Sequence, residues 1–307
     1  MTNLELWTCA DQGVTRAEID ALGATGWHNW GSWKTVPSGP GRVPLVSLKL
    51  DKLPILGTVS SGLVMLGNEP QMPPPDGDGY TNAARDAGVR ARLLASDLVF
   101  ETTAILGNFF CADQSKQAGT CYDGTVQTID AGPAYWAAYH SGYYPTTSTW
   151  PKAVGWGIHY YTRGATFDVN RLIAILGEYH AWCNGDVYLT ELGVEPWGFD
   201  TQACMGFMEQ LVMWAVGKPW MRAICWCQWP TRYADSGLYK NGSLTPLGVY
   251  WRDLGERIKG LTPVVDPPPG PTSSQWERVS QNTFTSIQSN GGGSDLFRIT
   301  VEREVRP

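Results

Sequence analysis

The sequence predicts an α/β fold, specifically a (β/α)8 TIM barrel, and three observations carry that expectation. Eight short, almost continuously apolar runs recur along the first 262 residues. Segments with helical periodicity lie between several of them. Apolar strands alternating with helices imply a parallel sheet covered on both faces, and eight such units imply closure into a barrel. An open doubly wound sheet is the alternative, but no glycine-rich phosphate loop follows the first run.

The strand-like runs are Leu4–Thr8, Gly26–Gly31, Val43–Leu48, Gly62–Gly67, Leu98–Gly107, Ala153–Tyr161, Val187–Glu191 and Arg222–Trp229. "TRAEIDALGA" opens on Thr15-x-x-Glu18, a capping box that starts a helix. Helices are also predicted over Tyr80–Ser96, Asp168–Trp182, Thr201–Gly217 and Leu247–Ile258, and a less regular one over Gly132–Tyr143. In Asp168–Trp182, Leu172, Ile175, Leu176 and Tyr179 form one apolar stripe at helical spacing. Ser32–Gly41 and Asp51–Ser61 leave little room for full helices in the second and third units.

Residues 1–262 thus form the predicted barrel. Residues 263–274, with "VDPPPGPTSS", read as a Pro-rich linker. Residues 275–307 are a short β-prone segment around "NGGGS", too small to hold a core alone.

The chain has 307 residues, 15 Trp and 13 Tyr, more Trp than core packing usually requires. Trp and Tyr combine a flat apolar face with a polar edge and so suit sugar rings; core filling is the competing use. A net charge of −6 with 17% charged residues excludes the basic face of a nucleic-acid binder. No run is long and apolar enough to span a membrane. "MTNLELWTCADQG" lacks the features of a signal peptide. The expectation is either retention until lysis or a leader already removed. Seven Cys leave at least one thiol unpaired. Cys225 and Cys227 should share one face of a strand, and Cys111 and Cys121 bracket a polar loop that a disulfide could close. No Cys/His spacing resembles a metal site.

In a (β/α)8 barrel, functional side chains lie at the C-terminal ends of strands. The two-residue period of a regular strand then says which point inward. Met65, Gly67 and Glu69 should share a face, as should Gly157, His159 and Tyr161, then Val187, Leu189 and Glu191, then Cys225, Cys227 and Trp229. Two carboxyl groups with a His, a Tyr and a Trp around one mouth fit glycosidic bond cleavage. One carboxylic acid protonates the departing oxygen, and the other attacks the anomeric carbon or activates water. Each residue alone has a plainer reading, as surface charge, core histidine or packing. The parity on four strands is what singles the set out. Glu195 lies past its strand and is secondary; Glu101 lies within a run and reads as a buried ion-pair partner.

At these residues the chain resembles a retaining glycoside hydrolase of the (β/α)8 clan A, and most of all glycoside hydrolase family 128, the short-barrel β-1,3-glucanases. The matching pieces are "WHNW" (Trp27–Trp30), "LGNEP" (Leu66–Pro70), "IHYY" (Ile158–Tyr161), "LTELG" (Leu189–Gly193) and "WCQW" (Trp226–Trp229). The resemblance implies Glu69 as acid/base and Glu191 as nucleophile. It implies that Asn68 donates to a sugar hydroxyl, that His159 and Tyr161 line the cleavage subsite, that Tyr161 holds Glu191, and that Trp229 floors the ring. Trp30 resembles the aromatic that ends the first family segment. The family usually has an acid after the Pro of its "NEP" motif, where this chain has Gln71.

The implied activity is hydrolysis of a β-linked glucan, most specifically β-1,3, with no metal or organic cofactor. A poly- or oligosaccharide is the expected partner. Two other readings remain at this level. One is a carbohydrate-binding barrel without catalysis; the other is a hydrolase of bacterial cell-wall polysaccharide.

Overall fold

The computed structural model describes residues 3–10, 15–28, 41, 43, 45–46, 63–69, 103–109, 117–120, 126–129, 153–162, 168–183, 185–194, 200–228 and 236–261. The chain divides into Met1–Asp266 and Pro267–Pro307, and every described residue belongs to the first unit. The predicted helices at 80–96 and 132–143, the Cys111–Cys121 pair, the linker and the tail lie outside the described residues.

All eight predicted runs contain a strand. They are β1 (Glu5–Ala10), β2 (Gly26–His28), β3 (Leu45–Val46), β4 (Leu63–Leu66), β5 (Thr103–Phe109), β8 (Ala153–Thr162), β9 (Asp186–Val194) and β10 (Met221–Gln228). They form one parallel sheet in the order β2-β1-β10-β9-β8-β5-β4-β3. Chain order is therefore kept around the sheet, and the first strand pairs with the last. Its two ends also approach each other. The Trp27 N–H on β2 donates to the Gly41 carbonyl at 2.9 Å, and the Val43 N–H donates back to the Trp27 carbonyl at 2.9 Å. That alternation is the bonding pattern of parallel strands.

Two antiparallel pairs were not foreseen: β6 (Gln117–Thr120) with β7 (Val126–Ile129), and β11 (Tyr239–Lys240) with β12 (Ser243–Leu244). The first falls partly in the stretch read as a polar loop. With Val126 and Ile129 the only large apolar residues of the pair, no strand-like apolar period is there to detect.

The helices begin where capping residues dictate. α1 (Arg16–Leu22) has the predicted box complete: the Glu18 N–H donates to Thr15 Oγ1, and the Thr15 N–H donates to the Glu18 carboxylate. α2 (Val169–Cys183) starts with the Arg171 N–H on Asp168 Oδ1 at 3.0 Å. α3 (Thr201–Val216) is capped by Asp200 and α4 (Pro246–Lys259) by Thr245. Such caps satisfy amide donors that the helix itself leaves unpaired.

Side chains separate into two packed clusters. Val64 and Leu66, Trp156, Ile158 and Tyr160, and Ile224 and Trp226 pack with the helices, including the whole predicted stripe of α2. Trp7 and Cys9, Met65, Tyr188, and Ala223, Cys225 and Cys227 pack together on the other face. Cys225 and Cys227 thus share a face as expected. Trp7, Trp27, Trp156, Trp226 and Trp251 are buried, so these indoles serve packing rather than sugar contact. Among the described residues no helix is long and apolar enough to cross a membrane.

Candidate active site

The run that ends on β4 turns at Gly67-Asn68-Glu69. Gly67 has φ 83° and Glu69 φ 38°. The left-handed region suits glycine but costs an ordinary L-residue roughly 1–2 kcal/mol. The strained turn tips the Glu69 carboxyl towards β8, where it is 7% exposed. Asn68, beside it, is half-buried.

The fully buried His159 on β8 receives it. His159 Nδ1 lies 2.9 Å from Glu69 Oε1 and 3.2 Å from Glu191 Oε2. One ring nitrogen therefore bridges two carboxylates that are 122 positions apart in the chain. The three ligand-type atoms lie within 4.8 Å of one another. Burial lowers the His159 pKa, while the neighbouring Glu191 charge opposes this.

Tyr161 donates its phenol hydrogen to Glu191 Oε2. Burial first, then the nearby Cys227, Glu191, Glu69 and Cys9, hold its pKa well above the usual tyrosine value. The phenol keeps its proton and remains a donor. Such a donor favours the ionised form of Glu191.

Glu191 reaches this place by a route different from the one the period of two predicts. Regular alternation groups Val187, Leu189 and Glu191. In the structure Val187 and Leu189 pack among the helices, and Tyr188 faces the opposite cluster. The register explains the change: Ile158 pairs with Leu189, but His159 pairs with Glu191. The β10 side shows the same extra residue, since Ile224 pairs with Leu189 and Trp226 with Leu192. A β-bulge at Thr190 flips the parity and turns Glu191 into the site. The expected shared face of Val187 and Leu189 with Glu191 is thereby corrected.

His28 and Thr190 are residues that sequence reasoning passed over. His28 Nε2 donates to the Thr190 carbonyl at 2.7 Å, and Thr190 Oγ1 donates to the Ile158 carbonyl at 3.2 Å. The available signal was the pair Thr190-Glu191. Two polar residues in succession break the alternation of an otherwise apolar strand.

Of the predicted residues, Glu69, His159, Tyr161 and Glu191 are brought into direct contact, with Asn68 adjacent to Glu69. Trp229 and Trp30 lie outside the described residues, as do Gln71, Glu101 and Glu195. Sequence spacing suggested no metal cluster, yet Cys9, His28 and Cys225 bring ligand-type atoms within 4.8 Å of one another. They come from β1, β2 and β10, so linear spacing could not show it. Burial raises the pKa of the Cys9, Cys225 and Cys227 thiols.

The parallel eight-stranded sheet brings two carboxyl groups, those of Glu69 and Glu191, onto the same histidine. The family model described as glycosyl hydrolase catalytic core matches residues 138–251.

Solved structures of glycoside hydrolase family 128 share the fold. An endo-β-1,3-glucanase from Sorangium cellulosum is 16% identical, with a TM-score of 0.58, over 81% of this chain and 98% of its own. An endo-β-1,3-glucanase from Amycolatopsis mediterranei, bound to laminaritriose, is 14% identical, with a TM-score of 0.55, over 81% and 99%. An exo-β-1,3-glucanase from Cryptococcus neoformans is 15% identical, with a TM-score of 0.54, over 82% and 99%. No curated protein matches the chain by sequence.

Proposed function

We propose that the chain is a retaining glycoside hydrolase that cleaves a β-linked glucan, with β-1,3-glucan as the preferred substrate. Glu69 is the acid/base and Glu191 the nucleophile. The observation that carries this reading is the bridge through His159. The nearest oxygens of the two carboxyl groups lie within 4.8 Å. Retaining enzymes separate these groups by roughly 5–5.5 Å, whereas inverting ones need about 6.5–9.5 Å to admit water. The two bonds between Trp27 and the Gly41–Val43 stretch support a sheet closed into a (β/α)8 barrel. The β-1,3 preference is supported by what the structurally similar glucanases act on.

The reaction proceeds in two displacements. Glu69 gives its proton to the glycosidic oxygen while the Glu191 carboxylate attacks the anomeric carbon. The bond to the leaving sugar breaks as the ester to Glu191 forms. Glu69, now ionised, takes a proton from water. The resulting hydroxide attacks the same carbon and releases Glu191, so configuration is retained after two inversions. The Tyr161 hydroxyl keeps Glu191 ionised before attack. His159 fixes the two carboxyls relative to each other. Asn68 as donor to a hydroxyl of the sugar at the cleavage point, and Trp229 as the floor beneath its ring, complete the proposed site.

The test is a product profile of the purified protein on β-1,3-glucan, β-1,4-glucan, mannan, chitin and peptidoglycan. Release of laminari-oligosaccharides or glucose from β-1,3-glucan, abolished by Glu191→Gln in a folded protein, is the expected result. Intact ligand binding with no cleavage of any polymer would overturn it in favour of a binding barrel.

A further inference from the structure

The bulge at Thr190 places Glu191, and a histidine from another part of the sheet hydrogen-bonds to that bulge. A regular β9 would continue the alternation from Leu189 and point residue 191 among the helices with it. The extra residue prevents this, but a bulge leaves backbone groups outside the ladder. Thr190 bonds with its neighbours at both ends. Its hydroxyl donates to the Ile158 carbonyl on β8, and its own carbonyl accepts from His28 Nε2.

His28 ends β2, two strands beyond β10 from β9 in the sheet order. Its bond to Thr190 therefore spans the interior rather than the ladder. The ring is fully buried. A carbonyl can only accept, so the Nε2 atom carries the hydrogen. Burial, reinforced by His159 and opposed by the Thr190 bond, lowers the His28 pKa to about 4. The ring is neutral where glycosidases operate, so its role is that of a donor rather than a charge.

We propose that His28 is a positioning residue: its hydrogen bond to the Thr190 carbonyl fixes the β9 bulge that presents Glu191 to the anomeric carbon. This rests on the assignment of Glu191 as nucleophile. It predicts a specific kinetic pattern, because a carboxylate displaced by about 1 Å can lose roughly 100-fold in rate while substrate contacts elsewhere persist.

The experiment compares His28→Phe, His28→Asn and His28→Gln in the full chain. Phe keeps the ring without the donor, Asn has a donor too short to reach, and Gln carries an amide hydrogen about as far out as Nε2. Kinetics on laminari-oligosaccharides should show kcat lowered about 10- to 100-fold in Phe and Asn, with KM near the wild-type value and kcat substantially restored in Gln. Crystal structures should show the bulge lost or shifted in Phe and Asn and kept in Gln. If Phe does not fold, Asn supplies the same comparison.

Unchanged kcat in a folded Phe or Asn variant would overturn the proposal, as would a Gln variant no better than Phe or Asn. Should the wild-type protein cleave no glycan, it is the reading of function that has failed. The structural arm then decides alone: an unaltered bulge without the His28 donor sinks the inference, and a lost bulge sustains it.

Discussion

The ring of Tyr161 rests against Gly193, two residues past Glu191 on the neighbouring strand. The two are register partners on β8 and β9, and a Cβ on Gly193 would come within 2.4 Å of Tyr161 Cδ1. The missing side chain lets the phenol lie flat and reach Glu191. Gly193→Ala should push the ring away from that carboxylate. We expect a 10- to 100-fold loss in kcat, equivalent to about 1.4–2.7 kcal/mol of transition-state stabilisation, measured by steady-state kinetics. Tyr161→Phe should produce a loss of the same order with the strand packing intact.

Acid should destabilise the fold before carboxylate titration dominates. His28 and His159 both have lowered pKa values through burial. The unfolded chain binds protons on them near pH 6.5, while the folded His28 resists until about pH 4. The His28 contribution is complete above pH 6.5 and is lost as pH falls towards 4, and His159 acts in the same direction. For His28 alone the difference amounts to about 3 kcal/mol. Urea titrations between pH 7.5 and 4.5 should show this slope, and His28→Gln should flatten it.

The buried thiols should resist modification in the native state. Cys204 is pushed up to about 12 by burial, and Cys9, Cys225 and Cys227 are also raised. The thiolate is the reactive form. A thiol-specific reagent at pH 8 should label these four only after denaturant is added, as mass spectrometry of labelled peptides would show.

Leu176 is fully buried between α2 and the sheet. Leu176→Ala should destabilise the protein by about 2–5 kcal/mol. Circular dichroism in denaturant checks this, and activity per folded molecule should be unchanged because the residue is remote from the carboxyls.

The strands were legible because each lies in a largely apolar run of sequence, and the capping residue Thr15 marked its helix directly. Glu69 is reached through left-handed residues at Gly67 and Glu69 rather than through a continued strand. Strand parity grouped His159 with Tyr161, and β8 keeps that alternation to its end, where both side chains lie against Glu191. It failed on β9. A bulge is fixed by contacts from distant strands, His28 and Ile158 here, and those have no local period. The β6–β7 pair was invisible for a related reason. Mostly polar and small residues, with Val126 and Ile129 three apart, can pair through their backbones without a period of two. The turn at Glu69 shows the converse: the φ of 38° was not readable, but the carboxylate just past an apolar run was.

The most direct measurement is the anomeric configuration of the first product. Proton NMR spectra recorded within minutes of adding enzyme to a laminari-oligosaccharide resolve the two anomers before they interconvert. Two displacements at one carbon predict that the β-anomer appears first and the α-anomer grows in only by mutarotation. Initial release of the α-anomer, or no cleavage at all, would contradict a paired Glu69 and Glu191 acting as acid/base and nucleophile.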